Sequence, residues 1–111
     1  MFGDLGKMMK AAANVKKRLP EVQAKLAASE FTGRAGDGAV SATVNGKLKL
    51  LDVTIGLEAL SAAALAEDAS ALAEMIKAAV TDAQRQAAEA AVQAMEELTG
   101  GMSLPGLDGM V

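Results

Sequence analysis

Apolar residues recur every three or four positions in the first quarter of the chain, which predicts a helix over residues 4–28. Their spacing alternates between three and four, the a/d pattern of a heptad seam: Leu5, Met8, Ala12, Val15, Leu19, Val22 and Leu26. Asp4 suits the positive N-terminal end of such a helix. Pro20 removes a hydrogen bond to Lys16 inside the pattern, so we expect a kink or a break between these two residues.

The hydrophobic period changes to two in the middle of the chain. Apolar and polar side chains alternate strictly over residues 40–44, which predicts a half-buried strand. Residues 31–34 can form a shorter strand before it, and Gly36-Asp37-Gly38 supplies a flexible turn between the two.

A second hairpin is predicted immediately after that strand. Asn45-Gly46 is the strongest short signal for a two-residue turn in which both central residues have positive φ. The returning strand would run over residues 47–55. Its apolar phase shifts at Leu50-Leu51, which predicts a β-bulge at that point.

The last third of the chain predicts a long helix over residues 68–99. One apolar stripe follows it with spacings of three or four: Leu72, Ile76, Val80, Ala83, Ala87, Ala91, Ala94 and Leu98. Glu67-Asp68 suits the N-terminal end of this helix better than a metal site, and Gly100 suits its C-terminal end. Residues 57–66 remain ambiguous between a short helical turn and an alanine-rich connection.

The predicted fold is therefore α+β in the order α-β-β-β-α, with long N- and C-terminal helices and a small three-stranded antiparallel sheet. Residues 1–111 form one domain, with flexible termini over residues 1–3 and 100–111. The apolar content is 51% but the aromatic content only 2%, so the core is built from small side chains. Such a thin core favours burial of further apolar surface in a dimer.

Composition removes most enzymatic chemistry. The chain has no His, Cys, Trp or Tyr, so it cannot build a Ser-His-Asp triad, a Cys-His pair or a Cys/His zinc site. We expect no enzyme activity, metal, cofactor or small-molecule substrate. The first residues lack the apolar segment of a secretory signal, and no apolar run is long enough to span a bilayer. The expected location is the cytoplasm, without a membrane partner.

Charge is unevenly distributed along the chain. Residues 1–28 carry six basic against two acidic side chains, whereas residues 57–111 carry two basic against nine acidic ones. A basic helix on an acidic body can bind an anion locally despite the net charge of -3. The candidate contacts to DNA phosphates are Lys7, Lys10, Lys16, Lys17, Arg18, Lys25 and Arg85. Lysines on the solvated side of an ordinary amphipathic helix would give the same pattern.

Four strings in order along the chain resemble the YbaB/EbfC family of bacterial nucleoid-associated proteins. The first is the amphipathic N-terminal helix with its Met and Lys residues, and the second is the core from Thr32-Gly33 through the glycine turn and Val40 to Asn45-Gly46. The third is the helical string from Leu72 to Ala83, and the fourth is Leu98-Thr99-Gly100-Gly101-Met102 with Leu104-Pro105-Gly106. The resemblance covers almost the whole chain. Two segments depart from the family pattern. Ile55-Gly56-Leu57 stands where Ile-Asp-Pro is usual, and residues 62–66 lengthen the next connection.

The resemblance implies a homodimer that binds double-stranded DNA in the nucleoid with little sequence preference and organises or compacts the bacterial chromosome. An alternative function is a protein-interaction adaptor that uses the long C-terminal helix and does not bind DNA. The acidic C-terminal half motivates this alternative.

Overall fold

The computed structural model describes residues 2–100. Its elements, in chain order, are α1 (Phe2–Ala28), β1 (Glu30–Ala35), β2 (Val40–Asn45), β3 (Leu50–Ile55), α2 (Leu57–Ala66) and α3 (Ser70–Thr99). The predicted α+β fold is confirmed, with one addition. Residues 57–66, which the sequence left ambiguous, form the helix α2. Residues 2 and 3 belong to α1, and Gly100 caps α3. Residue 1 and residues 101–111 lie outside the described part of the chain, so the expectation that the termini are flexible stays a prediction.

Helix α1 is longer and more continuous than its sequence predicts. It begins at Phe2, so Asp4 lies inside the helix and is not its N-cap. It also passes through Pro20 without ending. Of the two expected outcomes, the break is therefore wrong and the kink stays a prediction. Pro20 is exposed. At such a position the carbonyl that loses its helical partner can bond to water, so the helix tolerates the ring.

The sheet has the order β1-β2-β3, and both pairs of neighbours are antiparallel. Phe31 pairs with Val44 in the first ladder, and Val40 pairs with Ile55 in the second. The second ladder shifts register between Thr43, which pairs with Asp52, and Val44, which pairs with Leu50. One extra residue, Leu51, therefore sits in β3, and the predicted bulge is confirmed.

The second hairpin turn differs from the predicted two-residue type. The positive φ falls on Leu48, at 69°, and not on Asn45 or Gly46. The Asn45 side-chain Oδ1 accepts hydrogen bonds from the backbone N–H groups of Lys47, at 2.9 Å, and Lys49, at 3.1 Å. Gly46 is required for another reason: its N–H donates to the Leu26 carbonyl at 2.8 Å, and a Cβ there would collide with that carbonyl. The Asn45-Gly46 pair thus predicts the position of the turn, whereas the contact of Gly46 with α1 determines the backbone geometry of the turn.

The core lies between one face of the sheet and the first half of α3. Val40 and Val44 are the largest fully buried side chains in the described part of the chain, and they pack against Ala79, Ala83 and Ala87. The buried face of α3 is rotated slightly from the predicted apolar stripe, because Ala79 is fully buried whereas its neighbour Val80 is only half-buried. Alanine brings the α3 backbone close to the sheet, and the resulting core is thin.

Beyond the sheet, α1 and α3 continue as a helical pair. The C-terminal end of α1 contacts the hairpin turn at Gly46, and α3 passes the same end of the sheet near Ala87. The two helices then run side by side in opposite directions, with Val15 and Leu19 buried. The heptad seam thus packs mainly on α3 rather than on the sheet. The molecule is accordingly elongated, with dimensions of 72 × 21 × 18 Å.

The N-cap residue of α3 is Ala69, which makes no side-chain capping hydrogen bond, so the predicted cap by Glu67-Asp68 is not formed in that way. Asp68 lies one position before the cap. Asp68 Oδ1 accepts hydrogen bonds from the Ser70 hydroxyl, at 2.7 Å, and from the Ser70 backbone N–H, at 2.9 Å. These two hydrogen bonds, from the hydroxyl first, lower the pKa of the Asp68 carboxyl below its ordinary value. At the other end, Gly100 adopts the left-handed conformation, with φ 65°, that ends many helices.

Candidate nucleic-acid interface

Helix α1 carries its apolar and basic residues on different sides. At roughly 100° per residue, the seam that includes Val15, Leu19 and Leu26 occupies one side of the helix. On the same count, five basic residues fall within one arc of about 100°. The arc runs from the side opposite the seam, at Lys10 and Lys17, to one flank of the seam, at Arg18. We call this set the cationic face: Lys7, Lys10, Lys17, Arg18 and Lys25. Lys16 lies on the other flank of the seam. All six side chains are exposed, so the packing of α1 on α3 leaves the cationic face accessible.

The dimensions of the cationic face suit a DNA backbone. From Lys7 to Lys25 it extends about 27 Å along the helix axis, at 1.5 Å per residue. That length corresponds to about 8 base pairs of B-form DNA at 3.4 Å per step. Lysine carries a flexible point charge with three donors, which suits phosphate oxygens without demanding one fixed geometry.

Part of α1 extends past the end of α3. Leu26 lies near the start of the helical pair and Gly100 ends α3, so α3 accompanies α1 for only about 18 Å. The residues before about position 14 therefore project beyond it. Leu5, Met8 and Met9 are exposed there, and Lys7 and Lys10 belong to the same segment. Within the described residues, no salt bridge joins these two lysines to α3.

Arg85, the one predicted contact outside α1, has a different environment. Its guanidinium donates to Asp82 Oδ1 at 2.7 Å and to Glu89 Oε1 at 2.8 Å, both on the same helix. The hydrogen bond from Arg85 lowers the pKa of Asp82, and the bonds to Asp82 and then Glu89 raise the pKa of Arg85. A phosphate at this position must compete with two carboxylates. The structure thus groups the six α1 residues on one helix and places Arg85 apart from them.

The Asp82 carboxylate also connects α3 to the sheet. The Gln86 side-chain amide donates to the Thr32 carbonyl at 2.9 Å and to Asp82 Oδ2 at 3.2 Å. Asp82 and Gln86 therefore belong to the packing of α3 on β1. The packing of α3 on β1 therefore explains why Asp82, and with it the Asp82–Arg85–Glu89 cluster, lies at this position.

An apolar groove, which the sequence did not reveal, lies between the two long helices and the second hairpin turn. Its volume is about 540 Å³. Most of its walls are apolar: Leu19, Val22 and Leu26 from α1, Ala88, Val92 and Met95 from α3, and Leu48 from the turn. Two polar residues, Gln23 and Lys47, also line it. Each of the apolar residues is an ordinary apolar position in its own element. Only the docking of the turn on α1 brings them together.

Among residues 2–100 no three acidic side chains are close enough to form a metal-binding group. No helix in the same range combines the length and the apolar character that a bilayer crossing requires.

Comparison with known proteins places this chain in a family. The sequence model of the YbaB/EbfC DNA-binding family matches residues 1–102. A nucleoid-associated protein of Clostridium perfringens is 38% identical over 106 residues, which cover 96% of this chain and 91% of that protein. A nucleoid-associated protein of Clostridium acetobutylicum is 33% identical over 105 residues, covering 95% and 90% respectively.

A solved structure supports the fold independently. The crystal structure of an uncharacterized protein from Helicobacter pylori matches with a TM-score of 0.64, covering 88% of this chain and 96% of that one. At 23% identity this likeness shows the fold alone. On the strength of the sequence matches, which span nearly all of both partners, the chain belongs to the YbaB/EbfC DNA-binding family.

Proposed function

We propose that this protein is a nucleoid-associated protein that binds double-stranded DNA as a homodimer, with little sequence preference, and organises or compacts the chromosome in the cytoplasm. The observation that carries the proposal is the cationic face of α1, which is exposed and turned away from the packed seam. Membership of a DNA-binding family and the names of the relatives support it.

Weak sequence preference follows from the chemistry of the cationic face. Four of its five residues are lysines, which bind phosphates as point charges, and phosphates carry no direct sequence information. Sequence readout ordinarily uses Arg, Asn or Gln side chains directed at base edges. Arg18 is the sole arginine of this face, and one side chain cannot read an extended site.

A homodimer fits both the energetics and the binding. The core has only two fully buried valines as its largest side chains within residues 2–100, so a single copy has little apolar burial to stabilise it. A second copy would cover apolar surface that one chain leaves exposed. Two cationic faces in one particle also contact more phosphates than one, which raises the affinity steeply.

The adaptor function remains the alternative, because one observation favours it. The apolar groove and the acidic side chains of α3 are suited to a protein partner with a basic, apolar segment. An adaptor would form a stoichiometric complex that nuclease treatment leaves intact. A DNA-binding homodimer would instead lose its associated material when the DNA is digested.

Titration of the purified protein with two unrelated 30-base-pair duplexes, combined with light scattering, tests the proposal. We expect dissociation constants within about threefold of each other, in the range of roughly 10⁻⁶ M that backbone contacts produce, and a particle mass of two chains. Absence of binding to either duplex at low salt would contradict the DNA-binding function. A monomer mass at micromolar concentration would contradict the homodimer separately.

A further inference from the structure

The apolar groove between α1, α3 and the second hairpin turn has the size and the lining of a small-molecule site. Its volume of about 540 Å³ falls within the range of about 300–1,000 Å³ that is usual for ligand pockets. Such pockets combine mostly apolar walls with a few polar groups that orient the ligand. Here Gln23 and Lys47 are the polar side chains among the lining residues. The groove therefore suits a ligand with a large apolar part and a small polar part.

The lining of the groove carries a positive charge. Lys47 is its one charged residue within the described part of the chain. Lys47 is exposed and forms no salt bridge within residues 2–100. Nearby on α3, Glu89 is already paired with Arg85, and neither Glu89 nor Glu96 lines the groove. An anionic group on the ligand can thus pair with the Lys47 ammonium, which offers three donors without one fixed geometry.

The groove is elongated, because two antiparallel helices form its long walls. The lining runs from Leu19 to Leu26 on α1 and from Ala88 to Met95 on α3, about 10 Å in each case at 1.5 Å per residue. The turn closes the end at Leu26, where the Gly46 N–H donates to the Leu26 carbonyl. None of the described lining residues is aromatic, so the contacts are aliphatic. A linear alkyl chain of medium length matches this shape.

The hairpin turn fixes a cationic and an apolar residue side by side at the same end of the groove. The Asn45 side-chain Oδ1 accepts hydrogen bonds from the backbone N–H groups on both sides of Leu48, those of Lys47 and Lys49. Leu48 lines the groove although its φ of 69° is a conformation that leucine rarely adopts. Backbone strain of this kind clusters at positions that contact ligands.

The geometry points to a binding site for a medium-chain alkyl carboxylate, the anion of a fatty acid. The carboxylate pairs with Lys47 at the turn, and the alkyl chain lies between α1 and α3 in the direction of Leu19 and Met95. Binding removes the alkyl chain and the exposed side chain of Val92 from water, which supplies the driving force. The site is an addition to the proposed DNA binding and does not depend on it.

Calorimetric titration of the full chain with hexanoate, octanoate and decanoate, each below its micelle concentration, tests the site. We expect saturable binding of one carboxylate per chain. Each added CH₂ group should tighten the Kd by up to about fourfold, the factor expected for a CH₂ group removed from water. Decylammonium has the same chain length as decanoate and the opposite charge. It should bind at least about tenfold more weakly than decanoate.

Substitutions at the groove separate the charge from the apolar walls. Lys47→Glu should weaken decanoate binding at least about tenfold and reverse the preference between decanoate and decylammonium. The matched control is Lys49→Glu, which makes the same charge change at an exposed position of the same turn that does not line the groove. Its Kd should stay within about twofold of the wild-type value. Ala88→Trp, at an exposed wall position, should fill the groove and weaken the binding of both ligands.

Equal losses in Lys47→Glu and Lys49→Glu would overturn the inference, because they would indicate a general electrostatic attraction. Absence of saturable decanoate binding to the folded wild type would also overturn it. The DNA-binding function and the homodimer would then be untouched, since duplex titration and light scattering test them separately. Should circular dichroism show that Lys47→Glu does not fold, the two ligands on the wild type decide. Equal affinity for decanoate and decylammonium would overturn the pairing with Lys47.

Discussion

Reversing the charge of Lys7, Lys10 and Lys17 to glutamate should lower the affinity for duplex DNA at least about a hundredfold at roughly 0.1 M salt. The three side chains belong to the cationic face and are exposed. Each reversal removes a phosphate contact and places a carboxylate against the DNA backbone. In a dimer the change occurs on two faces, so its effect on the binding free energy doubles.

The fold should survive this triple substitution. None of the three side chains is buried, and none forms a salt bridge within the described residues. Glutamate also has a helix propensity close to that of lysine. Unchanged circular dichroism together with lost binding would assign the effect to the DNA contact. Unchanged affinity would show that α1 does not carry the binding.

A charge-matched control distinguishes local contact from net charge. Reversing Arg34, Lys49 and Lys77 alters the net charge of the chain by the same amount but leaves α1 untouched. All three side chains are exposed. We expect this control to weaken binding far less than the α1 variant. Equal losses in the two variants would indicate a general electrostatic effect.

The second large effect is on stability, from replacing Gly33 by alanine. Gly33 lies in β1 directly beneath α3, and a Cβ at this position would collide with the Ala79 carbonyl and the Ala83 backbone N–H. Backbone atoms cannot rotate away as a flexible side chain can, so α3 must move off the sheet. We expect the free energy of unfolding to fall by about 3 kcal/mol or more.

Thermal or urea unfolding at fixed protein concentration measures this loss. Gly6→Ala is the control, because no atom lies within 4 Å of a Cβ there and alanine favours the helix. It should leave the stability unchanged or raise it slightly. If Gly33→Ala unfolded within about 1 kcal/mol of the wild type, close contact of α3 with β1 would not be a determinant of the fold.

Much of the fold was predictable because local pattern and final packing agree. The alternation over residues 40–44 and the phase shift at Leu50-Leu51 became β2 and the bulge in β3. The long apolar stripe became α3, with Asp68 at its N-terminal end and Gly100 at its C-terminal end. In each case neighbouring residues alone determine the backbone conformation.

The errors arose where distant parts of the chain decide the outcome. Asn45-Gly46 predicted a two-residue turn, but the contact between Gly46 and the end of α1 selected a different one. Pro20 predicted a kink or a break, and α1 continues through it without a break at an exposed position.

The candidate interface was predictable as a list of residues but not as a surface. The sequence identifies the basic residues of α1, and the helical count places five of them on one side. It cannot show that Arg85 lies between Asp82 and Glu89. It also cannot show that a turn and two helices enclose the apolar groove. Such features depend on tertiary contacts between elements far apart in the chain.

The central claim, that binding is dominated by contacts to the DNA backbone, is tested most directly by a salt series on a random-sequence duplex. With about 4–8 phosphates neutralised per dimer, log K should fall against log salt with a slope of roughly −4 to −7. The slope should be the same for an unrelated duplex. A slope near zero, or no binding even at the lowest salt, would contradict the account and favour the adaptor function.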